Sequence, residues 1–591
     1  MSTHTGLPAT GTSRSIGIII ATTVTDSLLA VLADAGVRQV FGVPGDAINA
    51  VVDGIRRHPE LTFVHVRHEE AGAFAASAQA KLTGELAAVV GTSGPGAVHL
   101  LNGLADASRD HAPVIAVTGQ ADTSLLGTSA HQELDQHALF SGVSSFSETI
   151  VHPDQVPTVV LEACRAAISG PGVAHLALPA NLAEQKVSQP EHGAVRQRPP
   201  RQVPHPEDLE EAAALLGEAE RPVILAGIGA ERAVPALLDT AERLAAPIIK
   251  TLRAKALIPD DHPLTVGGLG LLGTRAAVNA IEGCDVLLMV GTDYPYRDFY
   301  PDIDVPAVQI DIEPRRIGRR FPVQVGLVGG ADDTLTALAA LLPRRDDRRS
   351  LERAQQDMAH WRRWMRRFET SDSVPLRPER LAAVVGAHLA DDAIVVCDTG
   401  TVTAWVARHL AIRERQSFTL SGNLASMAYG LPAAIGAQLA YPDRQVVALV
   451  GDGSFTMLPS DLITAVELDL PITIVVFDNQ KLGLITVEEE SEGFAEQQTG
   501  LPACDLAAVA RAFGARGYRV TDPDELDPTL ARALGEAHPT VVDVLVDPDE
   551  LIVPPKIEMA QALGYAEAKI KEFFGVGQQD GGTDVITNVL R

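Results

Sequence analysis

The chain has 591 residues, 46% of them apolar, 21% charged and only 4% aromatic. That length exceeds what one hydrophobic core serves and suits three domains of ordinary size. The net charge of −28 repels phosphate backbones and argues against nucleic acid as a partner.

The polar residues 1–14 are expected to be disordered. The apolar run Ile16–Ile20 is too short to span a bilayer and has no small-residue cleavage site after it, so no signal peptide is read. Strand-like apolar runs then alternate with helical stretches: Val37–Val43, Ala87–Gly91, Val114–Thr118, Val223–Ala226, Val286–Val290, Ile394–Val396, Val446–Val450, Ile472–Phe477 and Val541–Val546. Short β-rich runs separated by longer helical patterns predict βαβ units and parallel sheets. Two breaks divide the series. Gln189–Pro206, rich in Pro, Gln and Arg, reads as a linker, and a second break runs from Pro343 through an Arg/Asp-rich stretch and a polar helix to Pro375. The expected fold is therefore α/β, with three doubly wound parallel-sheet domains at 16–188, 207–343 and 376–548 and a tail at 549–591. The first and third blocks each begin with a helix and could be related folds. Four scattered cysteines (Cys164, Cys284, Cys397, Cys504) form no CxxC pair, which fits a reducing cytosol rather than a disulfide framework or zinc site.

In the third block, Val446–Val450 empties into Gly451-Asp452-Gly453-Ser454, with a helix predicted from about Pro459. A second apolar strand ends in Asp478-Asn479. Both strand ends should lie at the carboxyl edge of one parallel sheet, where such folds bind ligands. Asp452 and Asn479 offer hard oxygen ligands suited to Mg²⁺, which also takes diphosphate oxygens. Gly451 and Gly453 allow close backbone approach, and the amides that follow can bond phosphate. An isolated Gly-Asp-Gly is usually only a turn, but here the whole strand–turn–helix–strand–Asn unit is present.

This unit resembles the metal-diphosphate motif of thiamine diphosphate enzymes. The resemblance implies Asp452, Asn479 and a main-chain carbonyl near Lys481 as metal ligands. The family usually has two Asn where this chain has Asp478-Asn479, and the second position supplies the ligand. The same resemblance gives Val64-His-Val-Arg-His-Glu69-Glu70 a role; read alone, that stretch is more often a solvated helix start. Glu69 becomes the carboxylate that protonates the aminopyrimidine N1′, favouring the imino tautomer that activates the thiazolium; Glu70 is the alternative, and His65 and His68 are read as structural. Met427 becomes the wedge that bends the cofactor, the Ala425 carbonyl receives the 4′-amino group, and Thr399-Gly400-Thr401 add amides and hydroxyls to the diphosphate.

The middle block carries Gly227-Ile-Gly229, Arg253, Gly267–Gly273 with Gly270, Gly291-Thr292-Asp-Tyr-Pro-Tyr-Arg297 and Asp311 at a strand end. Such clusters suit a pyrophosphate and an extended nucleotide, although a vestigial nucleotide fold would read the same way. These elements, with Gly94–Ala107 and Ile552–Glu558, look like the FAD domain of pyruvate oxidases and quinone-dependent pyruvate dehydrogenases. By that resemblance pyruvate or a related 2-oxo acid is oxidatively decarboxylated, the hydroxyethyl-thiamine carbanion passing electrons to flavin and then to quinone or oxygen. Gln132 and Glu488 join Glu69 as catalytic candidates. A non-redox carboligase or decarboxylase of the acetolactate synthase type is the alternative, and a non-catalytic degenerate relative is a third. Two departures bear on the substrate: His131 precedes Gln132 where oxidases have Phe, and Leu484 stands where they have an aromatic. Residues 556–574 are expected to form a lid or docking helix, and 585–591 could reach a quinone or a membrane surface. Self-association as a dimer or tetramer is implied, because in this family the Glu and the metal motif come from different subunits. A cytoplasmic location is expected, with a peripheral position at the inner face of the membrane as the alternative.

Overall fold

A computed structural model describes residues 22–189, 193, 201–550, 552 and 555. The expectations for 1–14, 16–20, 556–574 and 585–591, and most of the Pro/Arg-rich linker, lie outside the described residues.

Three six-stranded sheets are observed, every neighbouring pair parallel. The first holds β1 (Gln39–Gly42), β2 (Thr62–His65), β3 (Ala87–Gly91), β4 (Val114–Gln120), β5 (Phe146–Thr149) and β6 (Val173–Pro179). The second holds β7 (Pro222–Ala226), β8 (Ile248–Lys250), β9 (Thr265–Gly268), β10 (Val286–Val290), β11 (Ala307–Asp311) and β12 (Val325–Val328). The third holds β13 (Ile394–Cys397), β14 (Ser417–Leu420), β15 (Val446–Gly451), β16 (Ile472–Asp478), β17 (Arg516–Val520) and β18 (Thr540–Leu545). Central strands such as β3, β4, β7, β10 and β16 are buried at every position, because helices cover both faces of a parallel sheet and leave no solvated side.

Strand order separates the blocks by kind. The first and third sheets share one order, β2-β1-β3-β4-β6-β5 and β14-β13-β15-β16-β18-β17, and each is preceded by a helix, Val24–Asp34 and Pro378–His388. They are the same fold used twice. The second sheet, β9-β8-β7-β10-β11-β12, has the dinucleotide-binding order, with its switch point between β7 and β10.

The first and third blocks meet where helix Glu69–Thr83 crosses helix Gly430–Ala440. The backbones touch there: a Cβ on Gly436 would lie 2.2 Å from the Ala75 carbonyl oxygen. Phe74 packs edge-on against Tyr429, ring centroids 5.7 Å apart, within a core that includes Ala78, Leu431 and Ala434. The second block is tied to the third through Asp260, which is bonded by Lys250, Lys255 and the Ile412 amide at 2.8–3.0 Å.

Candidate active site

Parallel register brings β15 and β16 to one edge, Gly451 opposite Phe477, so Asp452 and Asp478-Asn479 leave the sheet side by side. The helix after the turn begins at Asp452 and runs to Met457, earlier than the predicted start near Pro459. Pro459 opens a separate short turn, Pro459–Asp461, before helix Leu462–Glu467. The predicted start followed Pro459 as a first-turn residue, but Gly451 in an extended conformation already serves as the cap.

Asp452 is buried, and its Oδ1 has no hydrogen-bond partner among the described residues. Burial pushes its carboxyl up to about 6 against the main-chain amides of Gly453 and Gln480. An orphaned oxygen in such a place calls for a partner, and a bound cation is one that would supply it. Asn479 accepts from the Lys481 amide at 3.2 Å, and a Cβ on Gly483 would stand 3.0 Å from its Nδ2 and 3.1 Å from the Thr401 methyl. At Gly451 and at Gly400 (φ 133°) no atom lies within 4 Å of where a Cβ would sit, so the floor is open. Ser454 Oγ faces the Thr399 carbonyl at 3.4 Å. This donor set, hard oxygen ligands over an open glycine floor, fits Mg²⁺ and a diphosphate. The Lys481 ammonium is turned to Glu496 and Asp549, at 3.1 and 2.8 Å.

The loop Ser421–Ala428 brings Met427 to the same floor, its Cε 3.4 Å from the Cβ position of Gly453. Ala425 (φ 57°) and Ala428 (φ 68°) are held in the left-handed region, a strain that clusters at functional sites. Ser421 binds back to the amides of Ala425 and Ser426, at 3.1 and 2.9 Å.

Glu69 is the first residue of its helix and is buried, capped by His68, whose Nδ1 accepts from the Glu70 amide at 3.2 Å. Its Oε2 lies 2.9 Å from His99 Nδ1, and His99 stacks on His68 at 4.4 Å. Glu70 points elsewhere, to Asn102 at 2.7 Å; Asn102 also reaches Ser426 Oγ at 3.1 Å, next to Met427. The turn after β3 gathers two of the catalytic candidates. A Cβ on Gly96 would lie 3.1 Å from Glu69 Oε1, and one on Gly94 would lie 2.9 Å from the Gln132 Cβ. Gln132 has φ 60° and accepts from Ser93 at 3.2 Å. Glu488 is exposed on helix Gly483–Ser491, which starts beside Asn479. His131 is exposed and Leu484 half-buried.

In the middle block the glycines meet at the switch point. A Cβ on Gly227 would strike the Gly291 carbonyl at 2.4 Å, and one on Gly229 the Gly291 Cα at 2.8 Å. The residue type is thus required by the crossing of the two turns themselves. Thr292 and Asp311 are buried beside them, and Asp311 caps the Glu313 amide at 3.0 Å. Gly270 (φ 96°) sits under the Tyr294 hydroxyl, which is buried with no partner among the described residues. Arg297 is exposed. Arg253 is engaged elsewhere: its guanidinium holds Asp110 of the first block.

Three residues of the site escaped the sequence reading. His99 lies in the Gly94–Ala107 stretch, but a lone His carries no sign of its partner. Asp398, after β13, takes the amides of Thr399 and Gly430, and burial pushes it up to about 6. Asp543 lies beside Asp478, and burial, then the Asp478 charge, push it up to about 7. A single charge inside the apolar run Val541–Val546 was a signal for it.

The chain matches three family models in order: the N-terminal TPP binding domain of thiamine pyrophosphate enzymes over 22–139, their central domain over 209–338 and their C-terminal TPP binding domain over 398–544. It belongs to the thiamine pyrophosphate enzyme family. It is 40% identical to YdaP of Bacillus subtilis, provisionally named a thiamine pyrophosphate-containing protein, over 93% of this chain and 96% of that one. A Methanocaldococcus jannaschii protein provisionally named an acetolactate synthase large subunit is 33% identical, over 90% and 93%. Pyruvate oxidase of Lactiplantibacillus plantarum is 31% identical, over 93% and 92%. Among the described residues no helix is long and apolar enough to cross a membrane.

Proposed function

We propose that the chain oxidatively decarboxylates pyruvate or a related 2-oxo acid with thiamine diphosphate, Mg²⁺ and FAD, and passes the electrons on to quinone or oxygen. The observation that carries the thiamine half is the buried, unpartnered oxygen of Asp452 beside Asn479, over the open floor of Gly400 and Gly451. In this reading Asp452, Asn479 and the Lys481 carbonyl hold the cation. Thr401 and Ser454 face the diphosphate, Met427 sets the cofactor's bend, and Ala425 and Glu69 take the two ends of the aminopyrimidine. The cofactor, once bound, supplies the nucleophilic carbon and the electron sink. Glu69 holds a proton at N1′, and His99, 2.9 Å away, fixes which of its oxygens turns inward. Gln132 and Glu488 orient the substrate. FAD is assigned to the switch point of the second sheet, with Gly227, Gly229, Gly270, Gly291, Thr292, Arg297 and Asp311 toward it; Arg253, a cofactor candidate by the resemblance, is instead committed to Asp110. The blocks 16–188, 207–343 and 376–548 then serve as pyrimidine-, nucleotide- and diphosphate-binding domains. The active unit is a dimer or tetramer of a cytoplasmic enzyme.

A second reading, a non-redox carboligase, is favoured by His131 and Leu484, which stand where the oxidases have aromatics and would widen or repolarise the pocket floor. One spectrum separates the two: purified protein with thiamine diphosphate, Mg²⁺ and pyruvate, kept anaerobic. Bleaching of a yellow flavin band is expected. Yellow colour that persists while CO₂ is released would favour the carboligase, and colourless protein would remove FAD from the proposal.

A further inference from the structure

Asp110, at the end of helix Leu101–Arg109, is buried where all three blocks meet. From its own block Lys81 reaches Oδ2 at 2.7 Å; the same ammonium binds Asp106 at 2.7 Å and the Leu420 carbonyl at 3.0 Å and lies over the Tyr429 ring. From the second block Arg253 places Nε 3.4 Å from Oδ1 and donates from Nη2 to the Asp110 carbonyl at 2.9 Å. From the third block come the amides of Gly422 and Asn423, both at 3.1 Å, and the Asn423 side chain at 2.8 Å. Asn423 also donates to the Arg109 carbonyl at 3.1 Å. Arg253 lies across Gly422 so closely that a Cβ there would be 2.3 Å from its Cγ.

Gly422 and Asn423 are the root of the loop that ends at Met427, the loop with two alanines in left-handed conformations. A strained loop keeps its shape only when its surroundings over-determine it, and charge-assisted hydrogen bonds to a buried carboxylate are the strong restraints available, here partly buried on the loop's side. We propose that Asp110 is a positioning residue: its carboxylate, fixed by Lys81 and Arg253, clamps Gly422 and Asn423 and so sets where the Ala425 carbonyl and Met427 meet the aminopyrimidine. The inference rests on the thiamine diphosphate reading above. It adds that the second block, through Arg253, shares in holding a loop that binds another cofactor.

The test uses Asn423→Ala, which cuts the loop's side-chain bonds to Asp110 and the Arg109 carbonyl and leaves the Lys81–Asp106–Asp110–Arg253 cluster intact, with Asp110→Asn as the stronger companion. Thiamine diphosphate affinity is measured by equilibrium dialysis with saturating Mg²⁺, and the melting temperature is measured without cofactor. Asn423→Ala should bind the cofactor roughly tenfold more weakly, as expected for two lost hydrogen bonds, with a cofactor-free melting temperature close to wild type. Asp110→Asn should bind more weakly still. Wild-type affinity in Asn423→Ala would overturn the clamp. Weak binding matched by an equal loss of cofactor-free stability would do the same, by reducing Asn423 to a structural residue. A wild-type protein that fails to bind thiamine diphosphate at all would instead defeat the parent reading, so the two failures are distinguishable.

Discussion

Burial without a partner makes one oxygen of Asp452 a cost to the cofactor-free fold and an asset to a cation. Its carboxyl is pushed up to about 6 by burial, so at pH 8 it is charged and poorly solvated. Asp452→Asn keeps the volume and removes the charge. It should raise the melting temperature of cofactor-free protein at pH 8 by roughly 2–4 °C, the equivalent of about 1 kcal/mol, and abolish the rise that Mg²⁺ with thiamine diphosphate produces in wild type. A retained cofactor-dependent rise would show that the cation sits elsewhere. Glu69→Gln should bind the cofactor as wild type yet lose roughly 10²–10⁴-fold in turnover, the usual worth of a placed acid or base; steady-state kinetics beside a binding isotherm checks both halves. What sequence conveyed at this scale was unequal. The shared sheet edge of Asp452 and Asn479 was legible because each directly follows an apolar run, and those runs pair side by side as β15 and β16. The Glu69–His99 pair was not, since its members are 30 residues apart and meet only because the turn after β3 folds back over the start of the helix.

Among the elements, β3 and β10 were legible residue for residue, because a strand buried on both faces is an uninterrupted apolar run. Short or edge strands were not: β2, β5, β8 and β17 are brief or partly polar and leave no such run. The crossing of Glu69–Thr83 with Gly430–Ala440 was also hidden, because Gly436 reads as a weak helix residue until Ala75 is placed against it. Gly436→Ala should therefore destabilise by about 2–3 kcal/mol, as overpacking of a closed interface does, seen as a lower urea midpoint. A midpoint equal to wild type would show that the helices can part without cost. Asp461 gives this junction a pH dependence. It is buried, bonded by the Arg67 amide and Thr464, and pushed up to about 6 by burial. Its folded value lies above its unfolded one, so the folded state binds the extra proton, and the associated stability is full below about 4 and lost as pH rises through about 6. Asp461→Asn should flatten the stability profile between pH 4 and 7 by up to about 2–3 kcal/mol. A profile as steep as wild type, in urea titrations across that range, would assign the slope to other groups.

For the whole molecule, a charge of −28 means self-repulsion that salt relieves. Raising ionic strength from about 0.01 to 0.15 M shortens the screening length from about 30 to about 8 Å, and the melting temperature at pH 8 should rise with it. A fall would mean that ion pairs such as Lys81–Asp106 and Arg519–Asp543 outweigh the general repulsion. The shared strand order of the first and third sheets places one half of the site on each copy of a single fold. In the function proposed above, the carboxyl edge of one would carry the acid Glu69 and that of the other the metal ligands Asp452 and Asn479. The crossing of the two helices also has a consequence for synthesis. The side of Glu69–Thr83 bearing Phe74 and Ala78 is covered by Tyr429, Leu431 and Ala434 of the third block, which leave the ribosome about 350 residues later. At about 5–20 residues per second that face stays bare for roughly 20–70 s, long enough for a nascent chain to need a chaperone's cover, and a fragment ending before Gly430 should aggregate where the full chain does not.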